Sequence, residues 1–234
     1  MPDPQKIIRD LRPLKPVGLF ENLIWLFGRI PVFRYFFIEA SNAFGGAIDR
    51  RVNNKIMKRL HAAHSLPVLA QVSENIFRGA QPSGDGFHML KKELNITKII
   101  NLRMEDDTER DIIRDLGMEY VHLAIPDTDI PTPWQVIRFL DMLDNFKDGR
   151  MFIHCASGAM RAALMIGLYR LYNGVSADKA MEEVMASGFD RNWLAGPRGY
   201  KLLNRFAKSP QDWIAKAKAL PNSQKHSRTA TLRL

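Results

Sequence analysis

Phe152-Ile153-His154-Cys155-Ala156-Ser157-Gly158-Ala159-Met160-Arg161 is the stretch on which the reading of this chain turns. Arg150 to His154 reads as a strand, and Met160 to Tyr172 as a helix closed by Gly174. A short loop between a strand and a helix can turn successive backbone N–H groups inward and form a nest for an anion. The helix that follows adds its positive N-terminal end. Ala156, Ser157, Gly158 and Ala159 are small, so the backbone can approach such an anion closely, and Gly158 admits backbone angles that a Cβ forbids. Arg161, six positions after Cys155, can fold back as a bidentate fork on two oxygens of a tetrahedral anion. Such surroundings stabilise a thiolate, and His154 is placed to hold the loop through its ring. Cys155 is therefore the candidate nucleophile. Ala156, Ser157, Gly158, Ala159, Met160 and Arg161 are the candidate anion binders.

A lone cysteine behind an apolar strand is more often an inert core residue. The surroundings argue against that here. Glu74 to Arg78 reads as a strand, with turn chemistry over residues 79–84. A helix over 87–94 and a buried strand over 97–102 follow. Asp107 to Leu116 is helical and ends at Gly117. Glu119 to Ile125 is a strand, and Pro133 to Phe146 a helix with Val136, Ile137, Leu140 and Leu143 at helical spacing. A further helix starts at Ser176. Strands alternating with helices predict an α/β fold: a central, mostly parallel, twisted sheet of about four to five strands flanked by helices. Ligands of such sheets bind beyond the carboxyl ends of the strands, which is where Cys155 falls.

Composition sets outer limits. The chain has 234 residues, 46% hydrophobic and 25% charged, with a formal net charge of +9. A single cysteine excludes an internal disulfide and any multi-cysteine metal site. A reactive thiol needs a reducing compartment, so a cytoplasmic location is expected. The basic balance favours acidic partners without choosing among them, and nothing points to a specific nucleic acid. Three regions are expected: a helical, apolar and basic extension over 1–70, a catalytic domain over 71–210, and a basic tail over 211–234, flexible at its end. Residues 18–40 are rich in large apolar side chains but are broken by Glu21, Arg29, Pro31, Arg34 and Glu39. No run approaches the ~18 apolar residues of a spanning helix. Two readings stand for this segment, packing on the main domain or lying against an anionic membrane surface.

Nucleophilic displacement at phosphorus requires a proton for the leaving oxygen. Ile125-Pro126-Asp127-Thr128-Asp129-Ile130-Pro131 follows a strand and precedes a helix, so Asp127 is the candidate general acid and Asp129 its competitor. Arg103 either supports the site or is a surface charge. Arg78 reads as structural, Trp134 and Trp193 as packing residues, and Glu105-Asp106-Asp107 as a solvated helix start. The histidines show no ligand spacing, and neither a metal nor a cofactor is called for.

His154-Cys155-x-x-Gly158-x-x-Arg161 resembles the signature of the cysteine-dependent protein tyrosine and dual-specificity phosphatases. Ile125-Pro126-Asp127 with Pro131 resembles the acid loop of that superfamily. Phe77-Arg78-Gly79-Ala80-Gln81-Pro82-Ser83 and Ile100-Asn101-Leu102-Arg103 resemble segments of its compact bacterial and fungal members. The resemblance spans about 74–207. It implies a hydrolase with a phosphocysteine intermediate, acting on a phosphorylated protein or a small phosphomonoester. A lipid or small-molecule phosphatase with the same site, and a phosphate-binding pseudophosphatase, are the alternatives. One position departs from the pattern: Ala162 stands where the superfamily commonly has Ser or Thr, whose hydroxyl helps the thiolate leave.

Overall fold

The computed structural model describes residues 66 and 68–233. The expected extension over 1–70 and the apolar segment 18–40 therefore fall almost wholly outside the described residues. Five strands form one sheet: β1 (Ala70–Ser73), β2 (Ile76–Gly79), β3 (Ile96–Arg103), β4 (Glu119–Ile125) and β5 (Arg150–His154). Their order across the sheet is β1-β2-β5-β3-β4. Only the β1–β2 pair is antiparallel; β2–β5, β5–β3 and β3–β4 run parallel. The sheet is thus the mostly parallel one expected from the strand and helix alternation. β1 is an addition, since residue 70 had been assigned to the extension.

Nine helices accompany the sheet among the described residues: α1 (Gly84–Leu94), α2 (Arg110–Asp115), α3 (Pro133–Asp144), α4 (Arg161–Tyr172), α5 (Ala177–Ala186), α6 (Gly196–Lys208), α7 (Pro210–Ala219), α8 (Asn222–Lys225) and α9 (Arg228–Arg233). Side chains alternate across each strand, and the two faces bury separate cores. Phe77, Ile96, Ile99 and Phe152 pack under α1 and α2 with Phe87, Leu90, Leu94 and Ile113. Ile100, Leu102, Leu123, Met151 and Ile153 pack on the other face against α3, α4, α6 and α7.

α4 is apolar on nearly all sides, with Ala162, Ala163, Leu164, Met165, Ile166, Leu168 and Leu171 buried. A helix of that kind belongs inside. A Cβ on Gly167 would come within 2.5 Å of Val184 and 3.0 Å of Leu203, so α5 and α6 close directly over it. The helix that carries Arg161 at its first position is thereby wedged between the sheet and two other helices.

The C-terminal stretch carries more helix than its polar composition suggests. α7 buries Trp213 and Ala217. α9 places Thr231 in the interior, where its Oγ1 donates to the carbonyl of Pro131 at 2.9 Å. Of the expected tail, residues 211–233 are described; they are largely helical, and Thr231 meets the segment leading into α3. Among the described residues no helix is long and apolar enough to cross a membrane.

Candidate active site

β3, β4 and β5 end side by side, and each releases a loop from the carboxyl edge of the sheet. β5 ends at His154 and hands on to Cys155, which is 1% exposed. The loop from Cys155 reaches α4 at Arg161. Gly158 sits at φ +73° in it, and a Cβ there would lie 2.7 Å from the Gly79 carbonyl carbon. No other residue fits, in conformation or in space. The turn after β2 braces this loop a second time, as the Gln81 N–H donates to the Ala156 carbonyl at 3.0 Å. Ser157 Oγ accepts from the Ala159 N–H at 3.4 Å, and Met160 Sδ accepts from the Asp190 N–H at 3.3 Å.

Arg161 is 3% exposed and turns back over the loop. Its Nη1 donates to Glu105 Oε2 at 2.6 Å and to the Ile125 carbonyl at 3.0 Å. Its Nη2 donates to Glu105 Oε1 at 2.8 Å and lies 3.1 Å from Asp127 Oδ1. Its Nε is buried with no hydrogen-bond partner among the described residues. Burial works against the charge, but Asp127 and Glu105 outweigh it and hold the guanidinium protonated, with the Cys155 sulfur also close enough to contribute.

Glu105 is the residue that sequence reasoning missed. Its side chain is 2% exposed rather than solvated, and α2 begins only at Arg110. Burial pushes its carboxyl up, but the hydrogen bonds and charge of Arg161, with Arg103 behind, bring it down to about 2. Arg103 is equally buried. Its Nε contacts Glu105 Oε1 at 3.1 Å, and its Nη1 reaches Gln81 Oε1 and Asp106 Oδ2, each at 2.9 Å. The two readings open for Arg103 resolve here: it is no surface charge, and it backs the carboxylate that holds Arg161. The burial of Arg103, which the sequence left open, is what demands a carboxylate within reach.

Asp127 and Asp129 part company. Asp127 lies against Arg161 with a side chain 13% exposed, and it takes a hydrogen bond from Trp193, which had been read as a packing residue. Burial pushes its carboxyl up, Arg161 pulls it down, and the Glu105 charge pushes it up again; the result lies above the ordinary aspartate value. Asp129 turns to the other side. Its Oδ1 accepts from the Ile130 N–H at 2.7 Å and pairs with Arg198 at 2.9 Å, and its Oδ2 lies 3.8 Å from Arg228.

His154 does not hold the loop through its ring as expected. It is fully buried, stacked on Phe152 at 5.8 Å and edge-on to Phe87 at 6.3 Å. Side-chain alternation is the reason: His154 follows Phe152 into the α1–α2 core, while Cys155 faces the opposite way. Its Nε2 lies 3.3 Å from Glu109, and neither ring nitrogen has a well-aligned hydrogen bond. Among the described residues no cluster of His, Cys, Asp and Glu could hold a metal. A cavity of about 720 Å³ on the outer side of α3, lined by Trp134 and Lys98, touches none of these residues. The chemistry locates the site; cavity volume does not.

A sheet of this order with a Cys-x5-Arg loop at its carboxyl edge defines the tyrosine and dual-specificity phosphatase superfamily. Within it, the chain belongs to the family described as DSP-PTPase phosphatase fused to NAD+ kinase, whose model matches residues 60–197. Solved structures share the fold at low sequence identity. The core catalytic domain of the PP-IP phosphatase Siw14 from S. cerevisiae, in complex with citrate, is 21% identical, with a TM-score of 0.53, covering 66% of this chain and 94% of its own. PTPMT1 is 18% identical, with a TM-score of 0.51, covering 63% of this chain and 99% of its own. Tk-PTP in its active form is 18% identical, with a TM-score of 0.50, covering 61% and 98%. No curated protein matches the chain.

Proposed function

We propose that this chain is a phosphomonoester hydrolase of the tyrosine and dual-specificity type, with Cys155 as nucleophile. The observation that carries this reading is the convergence of Cys155, Arg161 and Asp127 from two strand ends, with Arg161 Nε unpartnered among the described residues. An incoming phosphoryl group takes that Nε and displaces Asp127 from Nη2, while Glu105 keeps Nη1. The Cys155 thiolate attacks phosphorus, the ester P–O bond breaks, and protonated Asp127 gives its proton to the departing oxygen. Loop amides and Arg161 hold the remaining oxygens throughout. Water then attacks the phosphocysteine, Asp127 takes a proton from it, and the S–P bond breaks to regenerate thiolate and release phosphate.

The loop interior Ala156–Met160 carries no cation. The site is thereby suited to a single phosphoryl group, on a phosphorylated protein or a small molecule. Ala162 is fully buried in the first turn of α4 and supplies no hydroxyl to the leaving thiolate, so hydrolysis of the intermediate is slowed unless Ser157 substitutes in part.

The test is turnover of a chromogenic aryl phosphate by wild type and by Cys155→Ser. Wild type releases product and the variant does not. Equal release by both, or none by either, overturns the enzyme reading; in the second case tight phosphate binding by wild type would mark a pseudophosphatase.

A further inference from the structure

Arg78 lies beside the loop and has no part in the reaction just described. It sits on β2 opposite Ile153 of β5. Because Phe77 packs into the α1–α2 core, alternation sends Arg78 to the other face, under α4 and α5. Its Nη1 donates to the Gly158 carbonyl at 3.2 Å. Its Nη2 donates to Ser187 Oγ at 2.5 Å, just past the end of α5, and that hydroxyl donates to the Glu183 carbonyl at 2.7 Å.

A trans peptide is planar, with its C=O and N–H pointing in opposite directions. The Gly158 carbonyl is drawn to Arg78, so the N–H of the same peptide, that of Ala159, is turned away from Arg78, where it donates to Ser157 Oγ at 3.4 Å, a long bond that a phosphoryl oxygen can replace. The Ala156 carbonyl is tied to Gln81 in the same manner, which turns the Ser157 N–H. Gly158, at φ +73°, has the freest backbone in the loop, and rotation of the following peptide would present a carbonyl oxygen to an anion. We infer that Arg78 is a positioning residue for the proposed phosphate site, holding the Gly158–Ala159 peptide so that its N–H, not its carbonyl, meets the phosphoryl group.

Arg78 suits that task in two further respects. A planar fork holds the Gly158 carbonyl and the Ser187 hydroxyl from two separate nitrogens in a fixed geometry, which the single nitrogen of a lysine does not reproduce. Burial lowers its pKa on balance, with the Cys155 and Glu183 charges opposing, so its charge also lies within electrostatic reach of the sulfur.

The inference rests on the phosphatase reading, and the experiment separates the two. Inorganic phosphate binding is measured by calorimetry, and orthovanadate inhibition by steady-state kinetics, for wild type, Arg78→Met, Arg78→Lys and Ser187→Ala, with Tm recorded for each. Loss of an oriented donor to a charged group is expected to weaken phosphate and vanadate roughly tenfold to a hundredfold in Arg78→Met. Arg78→Lys recovers part of that, since one ammonium still reaches the Gly158 carbonyl. Ser187→Ala lowers Tm but keeps anion affinity near wild type. Wild-type anion affinity in folded Arg78→Met, or a loss in Ser187→Ala equal to that in the arginine variants, overturns the inference. Should Arg78→Met fail to fold, Arg78→Lys against Ser187→Ala decides. If wild type shows no Cys155-dependent turnover, the phosphatase reading fails, and phosphate calorimetry still decides the role of Arg78.

Discussion

Two carboxylates reach Arg161, and their surroundings shift them in opposite directions. Glu105 is held at about 2, so it stays a carboxylate at any physiological pH, whereas Asp127 lies above the ordinary aspartate value and can carry a proton. Separated values of this kind divide a permanent anchor from an acid. Glu105 has a folded pKa below its unfolded one. Its contribution to stability, a few kcal/mol by linkage, is therefore complete above about 4.3 and is lost as pH falls towards about 2. Glu105→Gln leaves two buried guanidiniums with one carboxylate fewer. Removing a partner from a buried pair costs about 3–5 kcal/mol, an upper bound here because the amide oxygen still accepts. Chemical denaturation at neutral pH should show that loss, with a flatter acid limb below pH about 4. An unchanged midpoint would refute the anchor. Asp127→Asn should lower kcat about 10²–10⁴-fold on esters with poor leaving groups and far less on good ones. It should also remove the alkaline decline in the kcat profile of wild type. If Asp129→Asn gives that pattern instead, the acid is misassigned.

The acid loop, residues 126–131, is fastened at several points as an element. Gln135 Nε2 donates to the Ala124 carbonyl at 2.7 Å before it, and Thr132 caps α3 behind it with a reciprocal bond to Gln135. Arg198 of α6 pairs with Asp129 and donates to the Thr128 carbonyl at 3.0 Å, and Thr231 of α9 holds the Pro131 carbonyl. Exposed pairs such as Arg198–Asp129 contribute little to stability, less than about 1 kcal/mol. Arg198→Met should accordingly leave Tm almost unmoved. It should lower kcat on poor leaving groups while sparing good ones, a weaker copy of Asp127→Asn; an equal loss on both classes would show that Arg198 does not act through the acid. The helices and strands that build this edge were legible because their periodicity is strong: α3 by its apolar spacing, and β3 and β5 as short buried runs. α7 was not, because it buries only Trp213 and Ala217, too few positions to set a pattern, and α9 is a helix of only six residues. β1 was missed for a similar reason, as an edge strand of four half-exposed or exposed residues.

Across the whole molecule, the site exists because three parallel strands end together. β3 supplies Arg103 and Glu105, β4 leads to Asp127, and β5 delivers Cys155 and Arg161. Cys155, Arg161 and the loop between them could be read from the sequence because their chemistry is contained in seven consecutive positions. Glu105 could not, since an acidic triplet before a helix looks the same whether solvated or drawn inward by Arg103 at the end of the preceding strand and by Arg161 at the start of α4. His154 was misplaced because strand parity, not proximity to Cys155, decides which core its ring enters. The central claim is that the Cys155 sulfur takes the phosphoryl group. The most direct measurement is rapid acid quenching of wild type during turnover of an aryl phosphate, followed by peptide mass spectrometry. A phosphate adduct on the peptide containing Cys155, absent in Cys155→Ser and accumulating because Ala162 slows its hydrolysis, is the predicted result. Turnover with the adduct on another residue, or with phosphate released by Cys155→Ser at the wild-type rate, would contradict it.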